Sequence, residues 1–364
     1  MSSAHRRGYI DRARGIAVLL MIEAHTTDAW TRAGDRNSVA FRDAAILGGF
    51  AAPFFLWLAG VAVALAAART AQRDGSARAA VEASCRRGLE IFILAFLFRL
   101  QAFVLSPGGP AITLFRVDIL NIMGPAIVAA ALMWGAARST VARATTLAMA
   151  ATATAMLTPT VRNAAWVARM PTWVQWYLRP AGEYTAFTAF PWVGFVFGGA
   201  ACGALIASAR GPASDRRLHV AFSVTGVALI ALGLLTAAQP TIYAASSFWT
   251  SSPTWFAIRC GVMMLALSGL YAAERAFGSQ TVSERAASWP EPLTMLGRHS
   301  LLVYWIHVEL VYGYASWLWR GRLPLWTALS GCAALSALMY GAAVLKGVES
   351  RRRVRLQPGR EEVA

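Results

Sequence analysis

Lysine is nearly missing from this chain: a single residue, Lys346, stands against 33 arginines. Charge of either sign is scarce too, at 14% of 364 residues, whereas soluble domains carry about a quarter. With 57% hydrophobic residues, a soluble fold could not cover its own surface, so the solvent for most of this chain is lipid. Cysteine is sparse as well. Cys85, Cys202, Cys260 and Cys332 show no C-x-x-C spacing, which argues against a disulfide framework or a metal site and for small apolar residues in helices. No stretch alternates like barrel strands, no soluble domain interrupts the pattern, and no internal repeat is visible.

What the sequence does have is a series of apolar segments. They fall near residues 14–30, 45–68, 88–105, 114–136, 141–158, 189–209, 219–238, 254–273, 294–318 and 324–345. Each suits a spanning helix, because backbone polar groups in hydrocarbon must be satisfied within the segment. The fold class expected is an all-α polytopic membrane bundle of about ten helices. The basic start followed by Gly15–Ile22 resembles a signal peptide, but Glu23, His25 and Asp28 follow at once without a small-residue cleavage site. It reads as a retained first helix. Residues 1–346 read as one transmembrane domain, and 347–364 as a basic, disordered cytoplasmic tail.

The net charge of +16 is a topological signal, since no aromatic nucleic-acid module frames the arginines. With the N-terminus inside, twenty-three basic residues fall on inner segments and eight on outer loops. The positive-inside rule then gives N-in and C-in with an even number of spans; the expected location is a bacterial inner membrane. The longest outer loop, Pro159–Thr188, holds Trp166, Trp173, Trp176 and Tyr177, which are expected to lie along the interface.

Ionisable groups within spans are costly and mark function by default. On this topology they share one depth, in the outer half. His25 and Asp28 are i, i+3 on the first helix and share a face. Ser300, Tyr304, His307, Val311 and Tyr314 form a stripe on the ninth. Arg116, Asp118 and Asn121 open the fourth, Arg259 lies just inside the eighth, and Arg99 and Gln101 end the third. Plainer readings stand beside these. Arg99, Gln101 and Arg116 could snorkel to headgroups, and His25 and His307 could be satisfied buried histidines. Glu23 and Glu309 face away from their neighbouring histidines. His299 reads as a surface or capping residue, and His5 and His219 lie by charged inner segments.

Five stretches then resemble, in order, the heparan-alpha-glucosaminide N-acetyltransferase-like family of bacterial membrane proteins: Arg7–Trp30, Phe50–Val61, Arg116–Val128, Pro191–Gly199 and Leu296–His307. The resemblance implies a transmembrane acyltransferase. It would take an acyl group, acetyl first of all, from cytoplasmic acetyl-CoA or another acyl-CoA to a hydroxyl or amine on the far side. The acceptor would be periplasmic or lipid-linked, with a sugar or glycan foremost. The acyl-CoA is a co-substrate, with no permanently bound cofactor and no metal. The family's histidine near the outer end of the first helix corresponds by neighbourhood to His25.

The residues fit that chemistry. Neutral histidine serves as base or nucleophile, so His25 is the expected catalytic residue with Asp28 its orienter. Arg116, Asp118, Asn121, Arg259, Tyr304 and His307 are expected to bind substrate or acyl donor, with Asn121, Arg259 or Tyr304 facing the oxyanion. The expected partners are the bilayer, the acyl-CoA and the acceptor, with no nucleic acid; stripes such as Gly198, Gly199 and Gly203 leave a homo-oligomer open. The competing class is a transporter of an anionic or proton-coupled solute, which would also bury His, Asp and Arg. Against it stand the absence of an inverted repeat and the crowding of the polar groups in one leaflet.

Overall fold

The computed structural model describes residues 7–105, 110–277 and 290–356. His5, Arg285 and residues 357–364 of the expected tail lie outside them. Among the described residues the chain is helical apart from turns and two isolated bridges, Thr31 with Leu323 and Val117 with Thr185. The helices are α1 (Gly8–Trp30), α2 (Val39–Gly48), α3 (Ala51–Asp74), α4 (Ala77–Leu105), α5 (Ile119–Ala136), α6 (Thr140–Asn163) and α7 (Thr172–Leu178). They continue with α8 (Ala189–Ser208), α9 (Pro212–Ala237), α10 (Pro253–Phe277), α11 (Pro292–Arg298), α12 (Ser300–Tyr312) and α13 (Leu325–Leu356). Among the described residues, seven spans are long and apolar enough to cross a membrane by length and composition: α2 with α3, then α4, α5, α8, α9, α10 and α13. The expected all-α polytopic membrane bundle is what the chain forms. The polar residues in α1, and the break between α11 and α12, keep those elements outside the seven.

Local chemistry explains many of the boundaries. Ser38 and Ser139 start α2 and α6 by accepting the backbone N–H of Phe41 and Ala142, each at 3.1 Å. Gly211, at φ 82°, turns the chain into Pro212 at the start of α9. The ninth apolar segment does not form one helix. His299 leaves helical geometry between α11 and α12, and α12 stops at Tyr312. Arg320 donates to the carbonyls of Tyr312 and Gly313 there, replacing the helical bonds. Tyr314 therefore falls off the stripe that Ser300, Tyr304, His307 and Val311 keep. Past Lys346, where a disordered tail was expected, α13 continues to Leu356. Arginine is a good helix former, and cations suit a helix C-terminus.

The chain divides into two compact units: residues 1–51 with 270–364, and residues 52–269. In the first, α1 and α11 meet backbone to backbone. A Cβ on Gly15 would lie 2.1 Å from the carbonyl oxygen of Leu293, and one on Gly297 would lie 1.9 Å from that of Asp11. Glycine is what permits this approach, as in other helix pairs in lipid. Asp11, buried here, pairs with Arg298 at 3.3 Å and Arg14 at 3.7 Å. Arg12 pairs with Glu291 at 2.7 Å and Glu274 at 3.1 Å. In the second unit α3 and α8 use the same device: a Cβ on Gly199 would lie 1.8 Å from the Trp57 carbonyl, and one on Gly60 would lie 2.0 Å from that of Val196. Leu89, Ile93, Leu97, Leu100 and Val104 leave an exposed apolar stripe along α4 at spacings of three and four residues. A stripe of this kind is what lipid covers.

Candidate active site

The first unit brings together two histidines that are 282 residues apart in sequence. His25 lies late in α1 and His307 midway along α12. Nδ1 of His25 is 2.9 Å from Nε2 of His307. The rings are nearly parallel, 8° apart, with centroids separated by 5.1 Å. Nδ1 of His307 is in turn 2.8 Å from the carbonyl oxygen of Val303, one turn earlier in α12. His307 is fully buried, whereas His25 is partly exposed.

Donor and acceptor roles follow from the chemistry of that chain. A carbonyl oxygen can only accept, so Nδ1 of His307 carries a hydrogen. In a neutral ring its Nε2 then offers a lone pair, and the hydrogen between the rings belongs to Nδ1 of His25. The remaining nitrogen, Nε2 of His25, is left with its lone pair free. No described residue hydrogen-bonds it. The relay from Val303 through His307 thus fixes one tautomer of His25 and leaves its other nitrogen unprotonated.

The backbone around the pair is tied down. The C-terminal end of α1 bridges to the segment before α13, with Arg32 N–H to Leu323 O at 2.8 Å and Leu323 N–H to Trp30 O at 2.9 Å. The Trp30 indole donates to Val311 O at 3.2 Å, linking α1 to the end of α12. These bonds set the register of α1 against α12 and so hold His25 beside His307. Tyr304 packs its ring against His307 at 5.9 Å.

Asp28 does not take the place expected of it. It shares a helical face with His25, yet the structure shows no hydrogen bond from it to that ring. Its carboxylate accepts from the Tyr312 hydroxyl at 3.2 Å and pairs with Arg36 at 3.7 Å. The cause is position: Asp28 is in the last turn of α1 and exposed, within reach of the cation that follows the helix. It touches His25 only through Tyr312, whose ring stands edge-on to the imidazole at 5.4 Å. The residue hydrogen-bonded to the imidazole is His307, which the sequence offered as a binding residue and as the alternative to His25 for the base.

The remaining candidates belong to the second unit. Asp118 starts α5 and forms an ion pair with Arg99 at the end of α4. Asn121 closes the cap by accepting the Asp118 N–H on Oδ1 at 2.9 Å. Arg116 precedes Val117, whose N–H donates to Tyr184 O at 2.9 Å and whose carbonyl accepts from Ala186 at 3.0 Å. Arg259 lies over the Trp255 ring at 4.6 Å and the Trp192 ring at 5.9 Å. Of the aromatics expected along a membrane interface, Trp176 and Tyr177 pack with Val117 and Ile122, while Trp166 and Trp173 are exposed. Burial pushes the Tyr177 hydroxyl up, and the adjacent Asn121 amide opposes that shift. Arg162, assigned to an outer loop by sequence, ends α6 and binds the carbonyls of Phe190 and Thr250 and the Thr188 hydroxyl. Its proximity to Pro159 and to the aromatic loop gave no signal of that role. His299 joins α11 to α12, and His219 is buried against Ser268 and Phe222.

A multi-pass helical membrane protein with an ordered imidazole pair at its candidate active site is the class that these observations define. Residues 6–236, well over half of the chain, match the family model described as heparan-alpha-glucosaminide N-acetyltransferase, catalytic. The chain belongs to that family. The match includes His25 but ends before α12, so His307 enters through the structure. No curated protein matches the chain.

Proposed function

We propose that the protein is a transmembrane acetyltransferase in which His25 is the general base. It takes the acetyl group from acetyl-CoA on the cytoplasmic side of a bacterial inner membrane and passes it to a hydroxyl or amine acceptor at the outer face. A sugar or glycan is the acceptor class that family membership favours. Membership in an acetyltransferase family supports the reaction class, and the arginine distribution supports the sidedness. The observation that carries the mechanism is the hydrogen-bonded chain from Val303 through His307 to His25.

In this mechanism Nε2 of His25 accepts the proton of the acceptor as its oxygen or nitrogen attacks the thioester carbonyl. The new carbon–oxygen or carbon–nitrogen bond forms as a tetrahedral intermediate. That intermediate collapses with loss of the carbon–sulfur bond, and the proton returns from His25 to the departing thiolate. While His25 is an imidazolium, its Nδ1–H bond to the His307 lone pair spreads the charge, the part that Asp28 was expected to play. Tyr304, beside His307, is the candidate oxyanion donor of the same unit.

The test is acetyl transfer from labelled acetyl-CoA by purified protein in liposomes. His25→Ala should abolish it while size-exclusion elution and helical content stay unchanged. Full transfer by that variant would remove His25 from the role.

A further inference from the structure

An apolar groove of about 1080 Å³ lies wholly within the second unit. α6 forms one wall, from Val141 to Met156, and α9 the other, from Leu218 to Thr236; Trp57 of α3, Gly198 of α8 and Cys260 of α10 also line it. The gap exists because each wall is docked on a different neighbour. α9 meets α10 backbone to backbone: a Cβ on Gly226 would lie 2.8 Å from the Gly261 carbonyl oxygen, and one on Gly233 would lie 2.8 Å from that of Thr254. α6 leans on α8, where a Cβ on Gly194 would lie 3.3 Å from the Ala151 carbonyl oxygen. Neither contact draws α6 and α9 together.

No described residue that lines the groove is charged. Hydroxyls along the walls turn back on their own helices: Thr145 donates to Val141 O at 2.9 Å and Thr236 to Leu232 O at 2.6 Å. Uncharged polar side chains gather at one end, where Gln239, Thr241, Tyr243, Ser246 and Ser252 line the groove from the connection between α9 and α10. That connection is strapped to α6. The Tyr243 hydroxyl donates to Met156 O at 2.8 Å, Asn163 to Ala245 O at 3.1 Å and Arg162 to Thr250 O at 3.1 Å. The straps fix the width of this end and cross the path of any transmembrane helix, which would have to leave through it. An uncharged apolar slot also offers nothing to an ionic solute or to water. Its occupant must be apolar along most of its length, polar without charge at one end, and able to stop inside the slot.

We infer that the groove binds a phospholipid of the surrounding bilayer, with an acyl tail lying between α6 and α9 and its ester at the connection that follows α9. The wall from Val141 to Met156 runs about 22 Å at 1.5 Å per residue. One leaflet supplies about half of a 30 Å hydrocarbon core, so an acyl tail ends within that length. Entry is from the side: Thr145, Ala148 and Thr152 on one wall, and Ala221 and Thr225 on the other, are exposed. Val220, Val224 and Val227 of α9, exposed beside the groove, present further surface of the kind that lipid covers. The site does not depend on the acetyltransferase reading.

Full-length protein in an uncharged detergent is titrated with phosphatidylcholine carrying dibrominated acyl chains, because bromine quenches tryptophan on contact and Trp57 lines the groove. A saturable quenching step is expected, and Trp57→Phe should remove it. Ala148→Phe and, on the opposite wall, Thr225→Phe fill the groove from exposed positions and should each weaken binding about tenfold or more. Ala228→Phe, exposed on α9 but not lining the groove, should leave it unchanged. Phosphatidylglycerol with the same acyl chains should bind about as tightly, since no charge lines the groove. Native mass spectrometry gives a readout free of tryptophan: phospholipid retained per protein should fall in the two filling variants and stay at the wild-type level in Ala228→Phe. Quenching that rises only in proportion to added lipid, or equal lipid retention by wild type and both filling variants, overturns the site. A wild-type dimer that the filling variants break without loss of lipid overturns it too, and makes the groove a face between copies.

Discussion

Replacing His307 separates a base held in one tautomer from a base that acts alone. In His307→Leu the volume is roughly kept, but the acceptor for Nδ1–H of His25 is gone. A buried donor left unsatisfied costs about 1–3 kcal/mol. The ring can escape that cost by turning or by moving its hydrogen to Nε2, and either change removes the lone pair from the acceptor's path. At 1.36 kcal/mol per factor of ten, acetyl transfer should fall about 5- to 150-fold. His25→Ala removes the base itself and should cost about 10²–10⁴-fold. His307→Gln can present an amide oxygen to Nδ1–H and should fall between wild type and His307→Leu. The decisive measurement is the double variant. If His307 acts through His25, adding His307→Leu to His25→Ala changes the residual rate little, because the group that it positions is already absent. Initial rates with labelled acetyl-CoA in liposomes, at equal amounts of folded protein, give all four values. Multiplicative losses in the double variant would refute the relay and give His307 a separate function.

Other outcomes follow from the same contacts. Asp28→Asn should change acetyl transfer by no more than about fivefold, since its exposed pairing with Arg36 contributes about 0–1 kcal/mol; a loss as large as that of His25→Ala would return Asp28 to the mechanism. Gly297→Val should lower the melting temperature in detergent sharply or prevent folding, because its first atom alone would enter the Asp11 carbonyl at 1.9 Å and overpacking costs about 1–3 kcal/mol or more. Gly269→Ala, with open space at its Cβ, is the matched control and should leave the melting temperature unchanged or raise it. Asp35 accepts the Leu325 N–H at the start of α13 and pairs with Arg32, which hold its carboxyl below the ordinary 3.8. Its contribution is therefore complete above the ordinary value and fades as pH falls through the lowered one. The melting-temperature gap between wild type and Asp35→Ala should be present at neutral pH and close in acid; a gap independent of pH would refute the assignment.

The helices could be read from the sequence because lipid leaves the backbone one choice, and apolar length alone then locates α3, α4, α5, α8, α9, α10 and α13. The break at His299 could not: Gly297 is needed there for contact with Asp11, a partner 286 residues away that no local pattern reveals. The site divides the same way. His25 was visible as an imidazole in an apolar stretch, and His307 as another. Helical spacing then favoured Asp28 as the partner, because i, i+3 neighbours are the only ones that a sequence can count. The structure chose differently for a reason of position. A carboxylate in the last turn of α1 has Arg36 within reach, and an exposed ion pair keeps it solvated. An imidazole one turn earlier meets the His307 and Tyr312 rings, and a second neutral imidazole satisfies it without burying a charge. The pairing of His25 with His307 thus buries no charge, whereas a pairing of His25 with Asp28 would bury one. On the proposed mechanism, a base paired with a neutral partner takes its first charge from the acceptor's proton, at the moment when transfer begins.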